Sequence, residues 1–371
     1  MTGPREVVRF LQPQFPPPEA IERYFARSRA RHWYSNDGPC LVEFTERLAQ
    51  RAGRPCVPVS SGTSALMLAV AALRGPGPRT QALVPSFTFA ATVQALVWNG
   101  LEPVFVDVDP AGFHLSPTAL ADALAARADR VGLVVAGSTF GAPAPPAVRR
   151  RLATLCADAG VPLLVDSAAG FGAGAADGLA VGAQGDAEIV SFHITKPLGI
   201  GEGGAVFAGA ELAERMHRLA NFDFDEHRSA RSPWGLNAKL DELHAAVGLA
   251  VLDTFDDDLA RRRRHAERLL GAIGPGLTPQ AGHEWGTYQF VPVVTPDGDT
   301  RERILKLADG RVELRTYYEP LHAMAAFAPF ARHGSLEVTE SLGQRSLSLP
   351  MATGLSDGAI AAVAEVCRGG A

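Results

Sequence analysis

From residue 82 to residue 165, short and continuously apolar segments alternate with stretches of helical character, and few architectures accommodate that pattern. Segments 82–85, 104–108 (VFVDV), 131–136 and 162–165 have strand character, and 88–98, 117–126 and 146–159 read as helices between them. A strand with no polar alternate must be buried on both faces. Separated by helices of roughly ten residues, such strands predict a mostly parallel sheet covered on both sides. In sheets of this kind ligands bind beyond the carboxyl ends of the strands. Ser60–Thr63, Ser86–Phe89 and Asp166 each follow a strand and are expected to converge there.

The flanking segments are less regular. Residues 12–18 (QPQFPPP) resist regular structure, because proline fixes φ and lacks a donor. A short helix is expected over 18–31, a turn-rich loop over 33–39 (WYSNDGP) and a second helix over 41–51. The aromatics of that loop suit either a pocket lining or packing against the next helix. A helix over 211–219, a polar loop over 221–232 and one long helical stretch over 240–270 follow. The arginine run 261–264 is expected to be a solvated helix face, with contact to a substrate phosphate as the alternative. The length of 371 residues suggests two domains: 1–270, an N-terminal segment with a large α/β domain, and 271–371, a smaller α+β domain with strands at 288–294 and 312–318.

Chemistry concentrates in 186–209, DAEIVSFHITKPLGIGEGGAVFAG. Two apolar strand-like pieces, 188–192 and 204–207, enclose a glycine-rich turn bearing one lysine, Lys196. An amine in such a turn suits Schiff-base chemistry if burial or a neighbouring cation lowers its pKa. Taken alone, a surface turn lysine is the plainer reading. Residues 199–204 also satisfy the dinucleotide pattern GxGxxG. That motif needs a helix start for the pyrophosphate, and AVFAG, a strand-like segment, follows instead; the dinucleotide reading is rejected.

Two further positions fit a phosphate-bearing cofactor. The turn SSGTSAL (60–66) opens an apolar helix over 65–73, and free N–H groups at a helix start favour an anion by ~0.3–1 kcal/mol. An ordinary Ser/Thr N-cap would look the same. Asp166 ends the apolar segment PLLVD and precedes SAAGFGAG, which places its carboxylate in the cleft. There it could hold a pyridinium N–H and keep the ring electron-withdrawing.

Composition removes several alternatives. A net charge of −5, with 20% charged and 47% hydrophobic residues, gives no reason to expect nucleic acid or an anionic membrane as partner. The opening MTGPREVV has no apolar signal core and no apolar run approaches membrane-spanning length, so a cytoplasmic location is expected. Cys40, Cys56, Cys156 and Cys367 lack CxxC spacing, and the histidines lack HExxH spacing, so neither a disulfide framework nor a metal site is expected.

Taken together, SSGTSAL (60–66), VPSFTFAAT (84–92), PVFVDVDP (103–110), VDSAAGFGA (165–173), SFHITKPLGIGEGGAVF (191–207), GLNAKLDELHAAVGLAVLD (235–253), YYEPLH (317–322) and LSLPM (347–351) resemble the DegT/DnrJ/EryC1/StrS sugar aminotransferases, members of the fold-type I pyridoxal-phosphate enzymes. The pieces occur in that family's order across nearly the whole chain. The resemblance implies that Lys196 forms the internal aldimine with pyridoxal phosphate and moves the proton, while Asp166 pairs with the pyridine nitrogen. It implies Gly62, Thr63 and Ser191 as phosphate ligands, Phe89 stacked on the ring, and Asn237 reaching the phosphate of the partner subunit, hence a homodimer with shared sites. Tyr318 and His322 would face the substrate. The implied reaction moves an amino group from an amino acid, glutamate by analogy, to a ketone on a nucleotide-linked deoxysugar, a 4-keto-6-deoxy sugar being favoured. A cyclitol or other natural-product ketone, a lyase using the same cofactor, and a non-catalytic scaffold are the rivals. Two positions depart from the family: Ala169 stands where Gln or His is usual, and Lys239 where Arg is usual.

Overall fold

The computed structural model describes residues 7–75, 77–175 and 177–371. Its strands in chain order are β1 (Cys56–Val59), β2 (Gln81–Pro85), β3 (Glu102–Val106), β4 (Val131–Gly137), β5 (Leu163–Asp166), β6 (Ala187–Ser191), β7 (Gly204–Ala208), β8 (Thr278–Pro279), β9 (Val291–Val294), β10 (Ala331–Arg332) and β11 (Ser346–Leu349). Eight of them form one sheet in the order β1-β7-β6-β5-β4-β2-β3-β10. The pairs from β10 through to β6 are all parallel, and β7 alone runs against both its neighbours. This is the mostly parallel, helix-covered α/β architecture expected of a fold-type I enzyme.

The apolar runs explain the burial. Along β2 to β7 alternate residues enter different cores, so both faces of the sheet are dry. Ala82, Val84, Phe105, Leu133, Val135, Leu164, Ile189 and Val206 face one layer. Leu83, Val104, Val106, Val134, Ala136, Leu163 and Val165 face the other, where Val190, Ala205 and Phe207 continue it toward the far edge. Each Val, Leu, Ile or Phe side chain among them contributes about 1.5–3 kcal/mol on burial.

Two expected elements differ. The stretch 240–270 is not one helix but two, Glu242–Leu252 and Phe255–Ala272. The break falls at Asp253, whose carboxylate accepts from Arg23, Arg47 and Tyr24. Asp256, Asp257 and Asp258 then occupy the first turn of the second helix, where the dipole favours negative charge. The expected strand 312–318 does not form a ladder. Glu313 donates to the Val8 carbonyl at 2.9 Å and Arg315 to the Ser348 carbonyl at 3.2 Å, so its backbone is divided between two partners. The strand expected over 288–294 begins only at Val291.

β8, β9 and β11 form a three-stranded antiparallel sheet. Helices Phe255–Ala272, Gly298–Ala308 and Asp357–Gly370 share its core, which also takes Val8. Conversely Leu321, Phe327 and Leu336 pack into the core of the large sheet, and β10 pairs with β3. Segments from both sides of residue 270 therefore enter both cores. Among the described residues no helix is long and apolar enough to cross a membrane.

Candidate active site

The carboxyl ends of β1, β2, β5 and β6 open onto one cavity of about 430 Å³. Gly62, Thr63, Phe89, Asp166, Ser191, Lys196 and Tyr318 all line it. Seven residues spread over more than 250 positions of sequence are thus brought to one place by the parallel sheet.

Lys196 sits in the loop between β6 and β7. The loop is pinned by Ile194 N–H donating to Gly201 O at 2.8 Å and Lys196 N–H donating to His193 O at 2.8 Å. Gly201 has φ +104°, a conformation side chains rarely adopt, which accounts for one glycine of the GEGG turn. The segment after Gly204 is β7, not a helix, so the GxGxxG pattern has no helix start to offer. Burial lowers the Lys196 pKa to about 8, with Asp166 acting in the opposite direction. Its Nζ donates to Gln289 Oε1 at 3.3 Å.

Asp166 ends β5 and is enclosed. Thr92 Oγ1 donates to one carboxylate oxygen at 2.6 Å and the Ala168 N–H to the other at 3.0 Å. Burial raises its pKa, opposed by Thr92, Ala168 and Lys196. A pyridinium N–H would add a positive hydrogen-bond partner to this buried carboxylate.

The phosphate end is set by the start of helix Gly62–Leu73. Ser61 caps it by accepting from Ser64 N–H at 3.0 Å, and the Ser64 hydroxyl accepts the Ser61 N–H at 3.0 Å. As the first two helical residues, Gly62 and Thr63 have N–H groups with no intrahelical acceptor and no other partner among the described residues. A Cβ built on Gly62 would lie 2.7 Å from Ser191 Cβ, so only glycine lets the Ser191 hydroxyl stand against the helix start. Phe89, 62% exposed, and Tyr318 have ring centroids 6.4 Å apart, and Tyr318 stacks on Phe140 at 4.9 Å. Two amides and a hydroxyl for an anion, a buried carboxylate, an aromatic face and a desolvated amine fit pyridoxal phosphate.

Two expected residues lie elsewhere. His322 is buried outside the cavity lining: its Nδ1 lies 2.8 Å from Ser86 Oγ and its Nε2 is 3.3 Å from Glu340. It braces the segment carrying Tyr318 against the end of β2. Asn237 belongs to a separate polar cavity with Asn36, Asn221 and Lys239. Lys239 Nζ donates to Asn237 Oδ1 at 2.7 Å and to Asn221 Oδ1 at 2.9 Å. The loop aromatics Trp33 and Tyr34 are about half exposed and line neither cavity.

Sequence reasoning assigned no role to Thr92, Phe140 or Gln289. Thr92 falls one helical turn after Phe89, a spacing that could have pointed to it. Gln289 comes from the loop before β9, in the second half of the chain, and nothing local marks it. Ala169 brings no polar side chain to the cavity, and its carbonyl accepts from Thr287 Oγ1 at 2.7 Å.

The lowered pKa of Lys196 has a measurable outcome. The chain has three lysines, Lys196, Lys239 and Lys306, so peptide mapping resolves each after labelling with an amine-reactive reagent. In the cofactor-free protein, labelling of Lys196 is expected to rise with pH through a midpoint near 8. A midpoint at the ordinary 10.5 would show that the cavity does not desolvate the amine.

Residues 18–368 match the DegT/DnrJ/EryC1/StrS aminotransferase family. GDP-perosamine synthase from Caulobacter vibrioides is 30% identical over 337 residues, covering 88% of each chain. Among solved structures, a putative PLP-dependent aminotransferase from Bacillus cereus superposes with a TM-score of 0.91 at 30% identity, covering 98% of this chain and 100% of that one. DesI, solved in the presence of its TDP-sugar product, has a TM-score of 0.87 at 34% identity, covering 99% of this chain and 94% of that one.

Proposed function

Because the chain belongs to the DegT/DnrJ/EryC1/StrS aminotransferase family, we propose that it moves an amino group from glutamate to the keto group of a nucleotide-linked 4-keto-6-deoxy sugar. Lys196 and Asp166 facing one cavity is the observation that carries this reading. The likeness to GDP-perosamine synthase and to DesI with its TDP-sugar product supports a nucleotide sugar as acceptor. The cofactor is pyridoxal phosphate, which when bound supplies an electrophilic carbon and an electron-withdrawing ring.

The chain's own residues do the rest. The Gly62 and Thr63 amides and the Ser191 hydroxyl bind the phosphate, helped by the helix dipole. Asp166, held by Thr92 and the Ala168 N–H, would take the pyridine N–H. Phe89 and Tyr318 line the cavity with rings that would pack against the cofactor. Lys196, with a pKa near 8, is partly neutral at neutral to mildly alkaline pH, so its Nζ could take up and release a proton there.

We assign Asn237 and Lys239 to the partner subunit's site, in a homodimer. They are polar, they line an open cavity on the chain's own surface, and they do not reach its own Lys196 cavity. The four free, buried cysteines suit a reducing compartment, and we place the enzyme in the cytoplasm.

An absorption titration tests the reaction. Protein loaded with pyridoxal phosphate is expected to show a visible band that glutamate converts to a near-ultraviolet one, and a 4-keto-6-deoxy nucleotide sugar should restore the visible band. No response to glutamate removes glutamate as donor. Restoration by a keto-cyclitol but not by the nucleotide sugar transfers the activity to that substrate class.

A further inference from the structure

A second cavity, of about 470 Å³, adjoins the first, and Leu11, Thr195, Lys196 and Gln289 belong to the walls of both. The amine at the centre of the chemistry therefore stands in a doorway, with space on two sides.

The wall of the second cavity holds four basic residues, Arg23, Lys196, Arg261 and Arg262, against two acidic ones, Asp253 and Asp258. Arg23 pairs with Asp253, and Arg261 with Asp258 at 3.3 Å. Arg262 is the exception. It comes from helix Phe255–Ala272 and donates one N–H to the Tyr288 carbonyl at 3.1 Å. A guanidinium has five N–H donors, and no other acceptor for Arg262 occurs among the described residues. Asp258 attracts it from the same wall, but that carboxylate is already engaged by Arg261 and by Thr254. Burial lowers the Arg262 pKa to about 10, which leaves it cationic at neutral pH. The run 261–264 is accordingly not a plain solvated face: Arg262 points inward, and Arg263 binds the carbonyls of Gly286 and Gly172.

We infer that this second cavity seats the carboxylate of the amino donor, with Arg262 as its anion anchor and Lys196 at the doorway to the first cavity. The inference rests on the transamination reading above and adds the donor's binding site to it. One uncommitted arginine matches one carboxylate. A nucleotide's diphosphate carries more charge than this one arginine can match, because Arg23 and Arg261 are already paired with Asp253 and Asp258. Gln289 accepts from Lys196 Nζ, and the carbonyl of its neighbour Tyr288 accepts from Arg262.

Glutarate, a dicarboxylate with no amine, cannot react, so its calorimetric binding to the cofactor-loaded protein reads the site without reading turnover. Arg262→Gln, which keeps a donor for the Tyr288 carbonyl, is expected to weaken glutarate by at least about tenfold, and Arg262→Lys to retain most of the affinity. Gln14→Glu, at an exposed wall position, is expected to weaken it by about threefold through like charge. Binding of a nucleoside diphosphate should be unchanged in all three. Should Arg262→Gln fail to fold, Gln14→Glu decides alone. Unchanged glutarate affinity overturns the inference, as does a loss of nucleoside diphosphate affinity in place of glutarate. Either result, with the visible band still responding to glutamate, leaves the transamination reading standing; loss of that response in the native protein would end the reading itself.

Discussion

Lys196→Ala is expected to lose turnover by about three orders of magnitude or more, because one amine serves as both attachment point and proton carrier. Burial supports the size of the effect. Among the described residues no other lysine or histidine reaches that position with a comparable environment: Lys239 lies in the other polar cavity and His193, though it lines the wall, is held by Thr195 at 2.8 Å. The visible absorption band should be absent, and its persistence with native turnover would remove the assignment. The same variant tests the shared site. Mixed in equal amounts with an Asn237→Ala, Lys239→Ala double variant, it should recover activity corresponding to about one native site in four, since only hybrid dimers hold an intact site. No recovery, with both proteins folded and exchanging subunits, would place Asn237 and Lys239 outside the partner's chemistry.

Asp166→Asn should still bind the cofactor and yet slow the glutamate half-reaction by about a hundredfold. The substitution keeps an oxygen for the Thr92 hydroxyl, 2.6 Å away in the native chain, and preserves shape. What disappears is the negative charge opposite the ring nitrogen, a charge-assisted contact in a buried site. A rapid-mixing measurement of the band conversion isolates that step. A near-native rate would mean that the carboxylate serves only to order the turn through the Ala168 N–H.

The departure at Ala169 connects with both results. The cavity loses a polar side chain there, while Gln289 places an amide beside Lys196 from the opposite side of the fold. The polar environment of the amine thus depends on the loop before β9, which Arg262 and Arg263 hold through the carbonyls of Tyr288 and Gly286.

Much of this protein was legible in its residue order. Unbroken apolar runs such as LVVA and LLV allow only a strand buried on both faces, and that alone requires a helix-covered parallel sheet. The same sheet puts whatever follows a strand at its carboxyl edge, so Asp166, Gly62–Thr63 and Phe89 could be assigned to one cleft before any contact was seen. Local chemistry decided these features, since strand burial and helix capping depend on near neighbours. The acidic run Asp256–Asp258 was also a local signal, for a helix start, hidden within a longer helical pattern.

Tertiary structure decided the rest. Whether 312–318 would pair as a strand depended on two competitors, Val8 and Ser348, more than 300 and about 30 residues away. His322 could belong to the substrate or the core until Ser86 and Glu340 claimed its ring. Gln289 beside Lys196, and Arg262 turned into a cavity instead of toward water, arise only from contacts between segments far apart in the chain. Sequence carries the periodicity that builds each element, but contacts between distant elements depend on side chains with no fixed spacing along the chain, and only the folded structure brings them together.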